Sequence, residues 1–134
     1  MAIIVGIVLA LLIGAVTTLA GLHRDRALYS AVTIVVGSYY SLFALMGGSK
    51  TTLVIESLIG AVFFCLAIAG FRSTLWIVVA ALAAHGLFDL AHPHMYENRG
   101  VPHWWPLFCA AYDLVAAAFL AWLISSKRVR ASAA

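Results

Sequence analysis

Apolar residues run almost unbroken through this chain, and its polar positions fall into short clusters about one membrane thickness apart. Runs of about 20 apolar residues predict five spanning helices, at about 2–22, 27–46, 51–70, 73–93 and 105–125. The links between them read HRDR, GGSK, FRS and HPHMYENRGVPHW. GGSK is a short hairpin connection. In the last link Pro93 is expected to end span four, while Pro102 and Pro106 rigidify the entry to span five, where the first helical turn tolerates proline. The first apolar run lacks a basic n-region and is too long for an h-region, so it is expected to be a retained span and not a signal peptide.

The composition agrees with the pattern: 65% of the 134 residues are hydrophobic and 10% charged, and the mean hydropathy is +1.07. A soluble domain of this size has no use for so apolar a surface. The expected fold is all-α, a single membrane domain over residues 1–134 built as a bundle of five transmembrane helices. The formal charge of +3 is then a topology signal and not a nucleic-acid signal. With five spans, Arg24, Arg26, Arg72, Lys127, Arg128 and Arg130 share one side, and only Lys50 and Arg99 lie on the other. The positive-inside rule puts the first side in the cytoplasm, so the N-terminus is expected outside and the C-terminus inside. This is the layout of a multi-pass protein of the cell membrane, by expectation the inner membrane of a bacterium. Trp76 and Trp122 fall at the cytoplasmic ends and Trp104 and Trp105 at the outer end, where an indole keeps its N–H among headgroups.

The rise along a helix converts sequence position into depth. Cys65 and Cys109 come out on the order of 14 Å apart in depth, beyond disulfide reach. Glu56, His85, Asp89, Cys109, Asp113 and Tyr40 all come out within roughly the outer 5–12 Å of the span, with His92 at the mouth. His85, Asp89 and His92 project within roughly 60° of one another on span four, and Cys109 and Asp113 share a face of span five. Span one has only small or aliphatic residues at that depth and is expected at the periphery.

An ionised carboxylate at mid-helix costs about 2.5–3.5 kcal/mol on insertion scales, and no Lys or Arg lies in the layer. Glu56, Asp89 and Asp113 must therefore be protonated, paired with imidazole or bound to a cation. The spacing H-x3-D-x2-H suits one ion, since neutral imidazole and carboxylate are standard ligands. The expected metal ligands are His85, Asp89, His92 and Cys109, holding a divalent transition metal such as zinc, iron or copper. Asp113 and Glu56 are the expected catalytic groups, supplying a base or further ligands as in bundle metal sites. The bland reading of the same face is a hydrogen-bonded cluster that holds helices together.

Other groups stand at the margin. Tyr39 and Tyr40 read as packing aromatics, His94 and His103 as exposed loop histidines with an extra-ligand or lid role as the alternative, and His23 as a solvated link residue. Five histidines are too few for a membrane desaturase-type di-iron site, and one helix face cannot supply both axial ligands of a bis-His haem. Nucleotide and hydrolase fingerprints are lacking.

The stretch HGLFDLAHPHMYENRGVPHWWPLFCAAYDLVAAAFL, residues 85–120, resembles small bacterial integral membrane proteins of unassigned activity. They share H-G-x-[FW]-D-x-x-H, a short loop, and F-C-x-x-[YF]-D. The resemblance groups these residues and implies no reaction. The functional expectation is a membrane-embedded metal-binding protein, extending to a metal-dependent enzyme for a lipophilic small molecule reaching the site from the bilayer. The alternatives are a proton-coupled carrier, which would need a polar route through the inner half, and a small accessory subunit of a larger membrane complex or homo-oligomer. Nucleic acid is not an expected partner.

Overall fold

The computed structural model of the chain describes residues 1–133. It is all-helical, with α1 over Ala2–Leu19, α2 over Arg26–Met46, α3 over Lys50–Arg72, α4 over Leu75–Met95 and α5 over Trp105–Ser125, and one 3-10 turn at Leu22–Arg24. All five α-helices are long and apolar enough to cross a membrane, as expected of a multi-pass membrane protein.

The helix starts are written locally. Asp25 accepts a hydrogen bond from the Ala27 N–H, Ser49 from Thr52 and Thr74 from Trp76, so three of the four links end in a side-chain cap. The helix ends fall within three residues of the sequence expectation, and two of the differences have a local cause. Span one stops at Leu19, because the chain turns at Gly21, whose φ of 78° favours glycine, and enters the 3-10 turn. Pro93 does not end α4, which continues to Met95. In the final turn a proline removes one backbone hydrogen bond and leaves few later ones to disrupt.

The helices pack as α2 on α3, α3 on α4 and α4 on α5, with a smaller contact between α2 and α4. α1 lies on the outer side of α5 and buries only Gly6, Ala10 and Gly14. The bundle has two storeys. One end is filled by apolar side chains, including Val36, Leu75, Val78, Leu82, Leu120 and Leu123. The other end holds the buried polar groups Glu56, His85, Asp89, His92, Asn98 and Asp113.

The apolar end is tied off by Arg26 and the C-terminal tail. Arg26 donates to the carbonyls of Gly70 (3.0 Å) and Phe71 (2.9 Å) at the end of α3, and to Arg130 (2.8 Å) and Ala131 in the tail. The tail also pairs with the α3–α4 link, through Leu75 N–H to Ala131 and Ala133 N–H to Ser73, each at 2.8 Å. The first link, the third link and the tail therefore share one end of the bundle.

His23 departs from its expected solvated state. It is only 8% exposed, because the Tyr29 hydroxyl bonds the His23 carbonyl at 2.7 Å and folds the link over the bundle.

Candidate functional site

Four helices and the last link converge on the polar storey, and Gly86 sets how closely two of them meet. A Cβ at Gly86 would lie 3.1 Å from the Ala110 carbonyl oxygen and 3.4 Å from the Asp113 Cβ, so any larger residue would push α4 and α5 apart by a few tenths of an ångström or more. The residues one position before and three after it, His85 and Asp89, thereby face Cys109 and Asp113.

These four form a buried group whose candidate ligand atoms all lie within 4.8 Å of one another. His85 Nδ1 is 2.6 Å from Asp113 Oδ2 and 3.4 Å from Asp89 Oδ2. The Cys109 thiol points at the same Asp113 oxygen from 3.9 Å. Both oxygens of Asp89 and the second oxygen of Asp113 are buried without a hydrogen-bond partner among the described residues. Buried oxygens in that condition are matched by a bound water or ion, by strain, or by a catalytic role. A nitrogen, a sulfur and carboxylate oxygens from two adjacent helices make a donor set that could hold a metal ion.

His92 goes elsewhere. Although it shares a helix face with His85 and Asp89, its Nε2 lies 2.8 Å from Glu56 Oε1 on α3. Two donors from the last link complete that carboxylate, Asn98 Nδ2 at 2.8 Å from Oε1 and the Tyr96 hydroxyl at 3.0 Å from Oε2. Glu56, expected as a catalytic group beside Asp113, is thus a fully bonded carboxylate in a second cluster. Burial and the neighbouring Glu56 push the Tyr96 phenol above its ordinary range, so it remains a donor. Asn98 also bonds the Tyr40 carbonyl at 3.1 Å, and Gly100 allows its loop to press on the Phe43 carbonyl at the end of α2, where a Cβ would not fit.

Aromatic rings separate the two clusters. Tyr40 stacks on His92 with centroids 4.0 Å apart and 20° between planes. Phe88 stands edge-on to His92, and Phe63 edge-on to His85 at 4.8 Å. Tyr40 is therefore part of the site, and Tyr39 packs against Trp105 at 4.9 Å. His94 is exposed at the end of α4, and His103 lines a pocket of about 390 Å³ above His92 together with Tyr96, Asn98 and Arg99.

Nothing in the sequence pattern singles out Asn98 and Tyr96. Their one signal is indirect, since a carboxylate on α3 with no cation at its depth requires neutral donors from somewhere.

A second cavity, about 880 Å³, opens along α1, α2 and α5. It is lined by apolar side chains such as Val5, Val32 and Phe108, and reaches Cys109, the one member of the buried four that lines it. Cys65 is exposed on α3, and neither cysteine is in a disulfide.

No protein-family model, curated protein or solved structure matches the chain.

Proposed function

We propose that the protein is a membrane-embedded metal-binding protein, with His85, Asp89, Cys109 and Asp113 as the ligands of one divalent transition metal. The observation that carries this is one ligand atom from each of His85, Asp89, Cys109 and Asp113 lying within 4.8 Å of the others, where three oxygens of the two carboxylates are buried without a hydrogen-bond partner among the described residues. A divalent cation would offset the carboxylate charge that the apolar surroundings otherwise disfavour. Imidazole, thiolate and two carboxylates are a four-donor set of the kind tetrahedral zinc takes. By the distribution of basic residues, the site lies in the outer half of the cell membrane, with the C-terminus cytoplasmic.

A Lewis-acidic ion here would polarise a carbonyl or lower the pKa of a bound water. The apolar cavity lined in part by Cys109 favours a lipophilic substrate arriving sideways from the bilayer. The cluster of Glu56, His92, Tyr96 and Asn98 forms a bonded cap between the site and the outer pocket.

Metal content of the purified protein tests the proposal: one equivalent per chain in the wild type and loss in Asp89→Asn are expected. A wild type without stoichiometric metal sinks it. One distance favours a second reading, because 2.6 Å between His85 and Asp113 is the short contact of a charge-assisted hydrogen bond between an imidazole and a carboxylate that can exchange a proton. Proton handling would be the function if metal is absent and a labelling reagent from the cytoplasmic side reaches Asp113.

A further inference from the structure

At the opposite end of the bundle from the polar storey, the first link and the C-terminal tail enclose a pocket of about 640 Å³. Its lining is Thr18, His23, Arg24, Arg26 and the tail segment 127–130, with Lys127, Arg128 and Arg130. Five of these carry fixed positive charge and none is acidic. The nearest carboxylate in sequence, Asp25, is engaged as the cap of α2, and the one Lys/Arg–carboxylate pair among the described residues, Arg99 with Glu97, is in the last link.

The five cations have different tasks. Arg26 is spent on backbone carbonyls and forms part of the frame. Arg128 lies 4.7 Å from the centroid of the exposed Trp122 ring, a cation over an interfacial indole. Arg24, Lys127 and Arg130 are exposed around the mouth without an acidic partner among the described residues.

His23 brings an unpartnered polar group to the same pocket. It is 92% buried, it lines this pocket, and its Nδ1 is buried without a hydrogen-bond partner among the described residues. A buried ring nitrogen in a ring of cations is matched by an anionic acceptor with several oxygens.

We propose that this pocket binds the phosphate-bearing headgroup of an anionic lipid from the adjoining leaflet. The lipid source follows from the surface beside the pocket. Thr18 stands at the end of α1 next to Leu19 and Leu22, which are 89% and 54% exposed, so acyl chains attached to a bound headgroup would lie along an apolar helix. Basic clusters at a membrane surface gain affinity for anionic lipid with each Lys or Arg, and the gain is lost as salt rises.

The test uses the full chain in neutral maltoside micelles, titrated with phosphatidylglycerol or phosphatidylcholine and read by native mass spectrometry and melting temperature. Phosphatidylglycerol is expected to bind as one equivalent at least about tenfold more tightly than phosphatidylcholine. The double variant R24Q/R130Q, whose sites are exposed, should lose that preference while melting as the wild type does in phosphatidylcholine. Lys127→Asn, which keeps a residue tolerant of its backbone conformation, should weaken phosphatidylglycerol binding about threefold or more. Equal binding of the two lipids by the wild type, or an unchanged preference in R24Q/R130Q, overturns the proposal. Inorganic phosphate giving the same protection at the same molar concentration overturns the lipid source and makes the pocket a site for a soluble anion.

Discussion

Glu56 on α3 and His92 on α4 are bonded at 2.8 Å, 36 residues apart in sequence and both closed off from solvent. This pair takes His92 out of the reach of Asp89, its neighbour on the same helix face, and divides one polar layer into two clusters with different demands. In one, every carboxylate oxygen has a donor. In the other, three do not.

Metal retention should follow that division. Asp89→Asn and Asp113→Asn are expected to purify without metal, whereas Glu56→Gln and His92→Gln keep about one equivalent. Elemental analysis of the four variants checks this, and loss of metal from Glu56→Gln at unchanged folding would mean that the two clusters act as one site.

The Glu56 cluster should act chiefly through stability. Glu56→Ala leaves His92, Asn98 and Tyr96 without their shared acceptor, and is expected to destabilise by about 3–5 kcal/mol, the usual cost of breaking a buried pair from one side. Glu56→Gln keeps an acceptor and should cost less. A double-mutant cycle with His92→Gln, followed by thermal or denaturant unfolding in detergent, should give a coupling of about 1–3 kcal/mol.

Gly86 should be intolerant of size. Val at this position places a branched side chain against the Ala110 carbonyl and Leu114, already 3.1 Å from an added Cβ. Separation of α4 from α5 would follow, because neither backbone can move locally within a helix. Gly86→Val is expected to lose about 1–3 kcal/mol of stability together with its bound metal, and Gly86→Ala to show a weaker form of both, measured by melting and metal content.

Arg26 and Lys127 should respond in opposite directions. Arg26→Gln removes a guanidinium that serves carbonyls of both α3 and the tail, and is expected to cost about 2 kcal/mol. Faster amide exchange at Leu75 and Ala133, the tail-pairing positions, would localise the loss. Lys127 closes α5 with a φ of 59°, and the bonds Lys127 N–H to Ile124 and Arg128 N–H to Leu123 complete a Schellman turn. Lys127→Gly removes the left-handed penalty and should stabilise by about 1 kcal/mol in neutral detergent, read as a rise in melting temperature.

Much of this architecture was legible in the chain. Length and hydropathy set the five helices to within a few residues, since a bilayer-length apolar run has no other way to satisfy its backbone. The fixed rise per residue put Tyr40, Glu56, His85, Asp89, Cys109 and Asp113 at one level before any contact was known. The caps Asp25, Ser49 and Thr74 at three helix starts became evident only with the structure, since apolar run length alone does not use them.

What only the tertiary structure decided is azimuth, the direction in which each helix turns its polar residues. Depth follows from counting along one helix, but partnership depends on rotation and close approach between helices, and these are set by contacts such as Gly86 on Ala110. Hence Asp113 and not His92 meets His85, and Glu56 meets donors from a loop. The burial of His23 and the docking of the tail on Arg26 have the same origin. They arise where links fold over the bundle end, and no periodicity in a four-residue link encodes which way it folds.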